Sequence, residues 1–94
     1  MKVPQLARYE ELLAYGEKLL EARHLTENAV LFRAWRKELK ADAAVDVIKK
    51  HAARTARSLG GMESIGEIAS VRNDRELLSL VESLHAVCKD IISS

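Results

Sequence analysis

The sequence predicts an all-α protein, a small antiparallel four-helix bundle, and three observations carry that prediction. Apolar residues recur at the three-to-four spacing of an amphipathic helix almost from end to end. Only one proline and four glycines punctuate the 94 residues, and with four aromatics the core must be assembled from Leu, Ile, Val and Ala. The consecutive pair Gly60-Gly61 is the main interruption.

Pro4 sits where the first turn of a helix tolerates an imino acid, and it opens a segment running to about Arg23. At about 100° per residue, Leu6, Tyr9, Leu12, Leu13, Gly16, Leu19 and Leu20 share one half of the wheel, and Glu10, Glu17 and Glu21 the other. The first helix therefore exposes an acidic face. Thr26 is expected to cap a second helix with its hydroxyl, and Leu31, Phe32, Trp35 and Leu39 form that helix's buried stripe.

No glycine or proline separates Thr26 from Gly60, but the apolar stripe rotates by roughly a quarter of a turn after Leu39, which predicts a break at 40–42. A third helix follows, with Ala44, Val47, Ile48, His51, Thr55 and Leu59 aligned and Gly60 as a left-handed stop. Ser64-Ile65-Gly66-Glu67 and Asn73-Asp74-Arg75-Glu76 both have the spacing of a capping box. The first predicts a short helical turn, the second the start of the last long helix, about 74–92. There Leu77, Leu78, Leu80, Val81, Leu84, Val87, Cys88, Ile91 and Ile92 cover a full half of the wheel, wider than one neighbour requires. Such a helix is central to the bundle or part of a dimer interface, and a homodimer formed through it is expected.

The chain is short enough to be one domain, 1–94, and its 48% hydrophobic and 31% charged residues place it with globular proteins. No apolar run approaches the about 18 residues a bilayer requires, and one cysteine provides no disulfide framework, so a cytoplasmic protein without membrane contact is expected. Net charge is +1, but unevenly spread: residues 23–57 hold nine basic and four acidic groups, and residues 58–94 three and six.

Two candidate binding regions follow. In the Gly-Gly-Met loop, Gly60, Gly61, Met62, Ser64 and Glu67 offer backbone amides and a hydroxyl to a carboxylate or phosphate; the competing reading is a chain reversal with Met62 plugging the bundle. The segment Gly60-Gly61-Met62-Glu63-Ser64-Ile65-Gly66-Glu67-Ile68 resembles the motif Gly-Gly-Met-Gly-Ser-Leu/Phe-Asn-Asp-Leu/Ile of a family of small bacterial helical proteins with no assigned activity. Gly60, Gly61, Met62, Ser64 and Ile68 match it, while Glu63, Gly66 and Glu67 replace its glycine, asparagine and aspartate. The resemblance implies a bacterial protein in which this motif joins a tryptophan-containing helical region to a C-terminal helix.

The second region is basic. Arg33, Arg36, Lys37 and Lys40 lie within about 100° of the second helix, and Lys50, Arg54 and Arg57 align on the third. An acidic protein partner, nucleic acid, or the acidic face of the first helix can each receive this charge. The absence of a strongly basic balance and of an aromatic platform disfavours nucleic acid.

The remaining chemistry is sparse. His85 and Cys88 are one turn apart, but two ligands make no metal site, and Cys88 falls in the apolar arc as a core thiol. His51 is expected as a buried neutral imidazole bonded to a carbonyl, and Trp35 as core. No nucleophile, metal cluster or cofactor loop stands at a catalytic spacing, so no cofactor is expected. The reading is a non-enzymatic protein–protein interaction module, of which an immunity- or antitoxin-like inhibitor is one version; a nucleic-acid-associated protein and a sensor of small anions are the alternatives.

Overall fold

A computed structural model describes residues 4–39, 43–60 and 65–93. Five helices make up the described chain, with no strand among those residues: α1 Leu6–Ala22, α2 Thr26–Glu38, α3 Val45–Leu59, α4 Ile65–Arg72 and α5 Arg75–Ser93. The helical reading of the sequence holds, and the expected short turn after the glycines is a complete eight-residue helix, α4.

Helix α1 packs along α2, α3 along α5, and α5 also meets α1 and α4. The direction of the first pair follows from its contacts: Glu17 meets Arg33 and Arg36, while residues 10 and 11 lie near Leu39, so α1 and α2 are antiparallel. Gly16 beside Leu80 and Arg23 bonded to Asp74 make α1 and α5 antiparallel as well. The wide apolar arc of α5 is thus used within the chain. Leu77, Leu80, Leu84, Val87, Cys88 and Ile91 are buried against three neighbours, Leu78 and Val81 pack at the margin, and Ile92 is exposed.

Gly16 shows why a residue with poor helix propensity occupies the middle of α1. A Cβ at this position would lie 2.5 Å from Phe32 Cδ2, closer still to Phe32 Cε2, and 3.2 Å from Leu80 Cδ2. Only a bare backbone lets the Phe32 ring rest on α1. That ring is in turn fixed by Trp35, at a centroid distance of 5.2 Å.

Several local expectations change. Thr26 is the first residue of α2 rather than its cap; Leu25 precedes it and no side chain caps this end. Gly60 ends α3 at φ −106°, not in the left-handed region. Instead His24 and Asn73 take positive φ, at 60° and 53°. Histidine and asparagine both occur in that region more often than most residues. Asp74, not Asn73, caps α5: its Oδ1 accepts from the backbone N–H groups of Glu76 and Leu77. Leu31 and Val47, expected on buried stripes, are 40% and 55% exposed. Both stand outside the flanks by which α2 packs on α1 and α3 on α5. The expected break at 40–42 lies outside the described residues, between an α2 ending at Glu38 and an α3 beginning at Val45.

Candidate functional site

Two features meet where α2 passes α3: a buried polar cluster and, above it, a partly neutralised basic surface. The cluster is built from residues far apart in sequence. Tyr9 of α1 is fully buried and its Oη lies 2.7 Å from both His51 Nδ1 and Thr55 Oγ1 of α3. On the other side of the ring, His51 Nε2 lies 2.9 Å from the Trp35 backbone oxygen of α2.

Donor counting fixes the protons. A carbonyl only accepts, so Nε2 carries the hydrogen, and in neutral His51 Nδ1 is then an acceptor. Tyr9 therefore donates to Nδ1, and Thr55 donates to Tyr9 Oη. Every polar atom of the cluster is paired, as low-dielectric surroundings demand. Burial pushes the His51 pKa below its ordinary value, favouring the neutral imidazole; Trp35 O and Glu38 pull upward, and Arg54 adds to the depression. Burial likewise raises the Tyr9 hydroxyl and pushes the Cys88 thiol up to about 11, with the neighbouring Tyr9 hydroxyl acting the other way on Cys88. Cys88 is fully buried and free, whereas His85, one turn earlier, is exposed, so the two do not form a pair. Neither group is poised as a nucleophile.

Above the cluster a shallow cavity of about 290 Å³ is lined by Glu38, Val47, Lys50, His51 and Arg54. Glu38 Oε2 accepts a hydrogen bond from Arg54 and lies 3.6 Å from His51 Nε2. One carboxylate oxygen thus faces both the buried imidazole and an exposed guanidinium.

The predicted basic residues divide into two groups. Arg33 pairs with Glu17 and Glu21, and Arg36 with Glu17, so the acidic face of α1 takes up the arginines of α2. Desolvation pushes Glu17 up, but hydrogen bonds from Arg36 and Arg33 outweigh it and hold this carboxyl below its usual range. Arg54 is held by Glu38. Lys37, Lys50 and Arg57 are exposed with no ion pair among the described residues. On α3, Val47, Lys50, Arg54 and Arg57 follow at i, i+3, i+7 and i+10, which makes one outward strip of an exposed apolar residue and three cations.

The loop candidates are only partly covered. Gly61, Met62 and Ser64 lie outside the described residues, as does Lys40; Gly60 is an exposed helix end and Glu67 lies on the exposed side of α4. Among the described residues no three His, Cys, Asp or Glu side chains converge as a metal site would require, and no helix is long and apolar enough to cross a membrane. A second furrow of about 500 Å³ runs between α1 and α5 past Leu12, Tyr15 and Leu80, but its Glu76 is already tied to Arg23.

Tyr9 and Thr55 were placed on buried stripes by the sequence, yet the joining of Tyr9 to His51 and to Thr55, across 42 and 46 residues, was not. The available signal was a polar group on each apolar stripe. Glu38 carried no such mark. Comparison with protein-family models, curated proteins and solved structures finds no match to this chain.

Proposed function

We propose that this chain is a non-catalytic interaction module that receives an acidic protein surface on the outer face of α3. One observation carries the reading. Among the described residues Lys50 and Arg57 have no carboxylate partner, and they flank Arg54 on a single strip that the half-exposed Val47 begins, whereas α2's neighbouring arginines are neutralised by α1. An exposed apolar residue at the end of a strip of cations suits a partner that supplies acid side chains beside a small apolar contact, with charge speeding the encounter. An inhibitor of the immunity or antitoxin kind is one form such a module takes.

The nucleic-acid reading loses ground, because Arg33 and Arg36 would have to leave Glu17 and Glu21 to reach phosphates. Homodimerisation through α5 gains little, since its apolar arc is occupied by α1, α3 and α4. The four longer helices acting as an antiparallel bundle, with α4 closing one end, is the architecture this reading assumes. Cytoplasmic location and kinship with the Gly-Gly-Met family belong to the same proposal.

The test is a charge reversal. Lys50→Glu/Arg57→Glu and wild-type protein are used as baits in an extract of the source cell, and the captured partner is titrated at two salt concentrations. A partner held by wild type, lost on reversal and weakened by salt supports the reading. A partner bound equally by both baits, or a nucleic-acid gel shift that persists in the variant, overturns it.

A further inference from the structure

The Glu38 carboxylate is the point where the buried cluster reaches the proposed docking strip. Resting on the interaction reading above, we propose that His51 is a proton-operated latch on that strip: when the imidazole gains a proton, it draws Glu38 away from Arg54 and frees the guanidinium for an acidic partner.

The geometry supplies each part. In the neutral state Nε2–H is committed to the Trp35 oxygen at 2.9 Å, and the Glu38 oxygen stands off at 3.6 Å while it accepts from Arg54. Protonation places a full positive charge on the ring, and Glu38 is the carboxylate that faces it. The two cations then compete for one carboxylate. The imidazolium is the less solvated competitor, since His51 is 6% exposed, so the carboxylate compensates it more effectively than it does Arg54, which retains access to water.

The cluster can also take up the proton while keeping both of its side-chain hydrogen bonds. Protonated Nδ1 becomes a donor to Tyr9 Oη, and the Tyr9 hydroxyl turns its own hydrogen to Thr55 Oγ1, 2.7 Å away. A hydroxyl can donate or accept, so the Thr55–Tyr9–His51 chain reverses its polarity, and the Thr55 hydrogen is released from Tyr9. The groups that face the ring are Tyr9 from α1, Glu38 and the Trp35 carbonyl from α2, Lys50, Arg54 and Thr55 from α3, with Cys88 of α5 behind Tyr9. Burial and the Arg54 charge oppose protonation, so the transition lies on the acid side of neutrality. Acidification would then raise the positive charge of the strip at Arg54, beyond the proton gained by the ring.

The experiment is done on the isolated full chain, so its failure is separable from failure to find a partner. Side-chain NMR signals of His51, Glu38 and Arg54 are followed from about pH 8 to about pH 5 in wild type, His51→Gln and Glu38→Gln. The expected result is a common midpoint for the His51 ring, the Glu38 carboxyl carbon and Arg54 Nε, with faster exchange of the Arg54 Nε–H below it. His51→Gln loses that step at Arg54, and Glu38→Gln shows the released Arg54 signal at every pH. A His51 ring that stays neutral until the chain unfolds, or an Arg54 step that survives in His51→Gln, overturns the proposal. If His51→Gln does not fold, Glu38→Gln decides: an Arg54 signal that still moves with the His51 ring is the refuting result.

Discussion

Replacing Gly16 by alanine is the sharpest probe of how α1 and α2 are held together. On intrinsic grounds the substitution is favourable, because glycine in a helix interior costs about 0.8–1 kcal/mol relative to alanine. The contacts argue the opposite. The new methyl would lie 2.5 Å from Phe32 Cδ2 and 3.2 Å from Leu80 Cδ2, whereas apolar carbons rest at about 3.5–4.0 Å. The ring must retreat by on the order of 1 Å. It has nowhere to go: Phe32 is fully buried and leans on Trp35 at a 41° tilt.

Overpacking a dense core costs about 1–3 kcal/mol, and a shift of this size belongs at the upper end. Subtracting the propensity gain leaves a net loss of about 2 kcal/mol. For a domain of this length that lowers the melting temperature by roughly 8–16 °C. Urea and thermal unfolding followed by far-UV circular dichroism measure it, with Gly60→Ala as the control. No atom lies within 4 Å of a Cβ at Gly60 and its φ is −106°, so that variant should be neutral or gain up to about 1 kcal/mol. The double variant Gly16→Ala/Phe32→Leu should recover part of the loss, because the two sites share one contact. A Gly16→Ala protein as stable as wild type would refute the close approach of α2 to α1.

Tyr9→Phe removes the donor to His51 Nδ1 and the acceptor of Thr55, leaving buried polar atoms unpaired; a loss of about 1–3 kcal/mol in urea unfolding is expected, and an unchanged midpoint would contradict the cluster. His51 holds its proton more weakly folded than unfolded, so below its ordinary 6.5 the unfolded chain binds the proton first. Its contribution is therefore complete above that value and lost as pH falls through the lower folded pKa; His51→Gln should flatten this part of the stability profile, and an equal slope in both proteins would refute the assignment. Asp74→Ala strips α5 of its cap and Arg23 of a partner, so hydrogen exchange at the Glu76 and Leu77 amides should accelerate ahead of the rest of α5. Asp74 is held below its usual range, by Arg23 first, so the cap's contribution is present at neutral pH and fades as acid approaches that lowered value. Exchange at these amides that does not respond to the substitution would remove Asp74 as the cap.

Helix periodicity made the helical class and most of the core readable, since each amphipathic segment declares its buried face locally. The α5 arc, the α1 stripe with Gly16 inside it, and His51 as a buried imidazole on a carbonyl were all legible for this reason. Leu31 and Val47 were not, because a wheel centres a stripe on its apolar residues and does not know how many neighbours each helix has. The caps were misjudged by one position, at Thr26 and at Asn73, because backbone geometry at a helix end depends on the direction from which the chain arrives. The candidate site was half visible: its cations stand in register along the sequence, but their carboxylate partners do not.

What the sequence alone determined is therefore what short-range periodicity encodes: helices, their apolar faces, and a basic middle segment between more acidic ends. Which charges cancel, which polar groups meet, and why α1 carries a glycine at its centre were decided only when the helices packed. Ion pairs and buried hydrogen bonds form between residues tens of positions apart, and no local pattern in the chain records which partners the fold brings within reach.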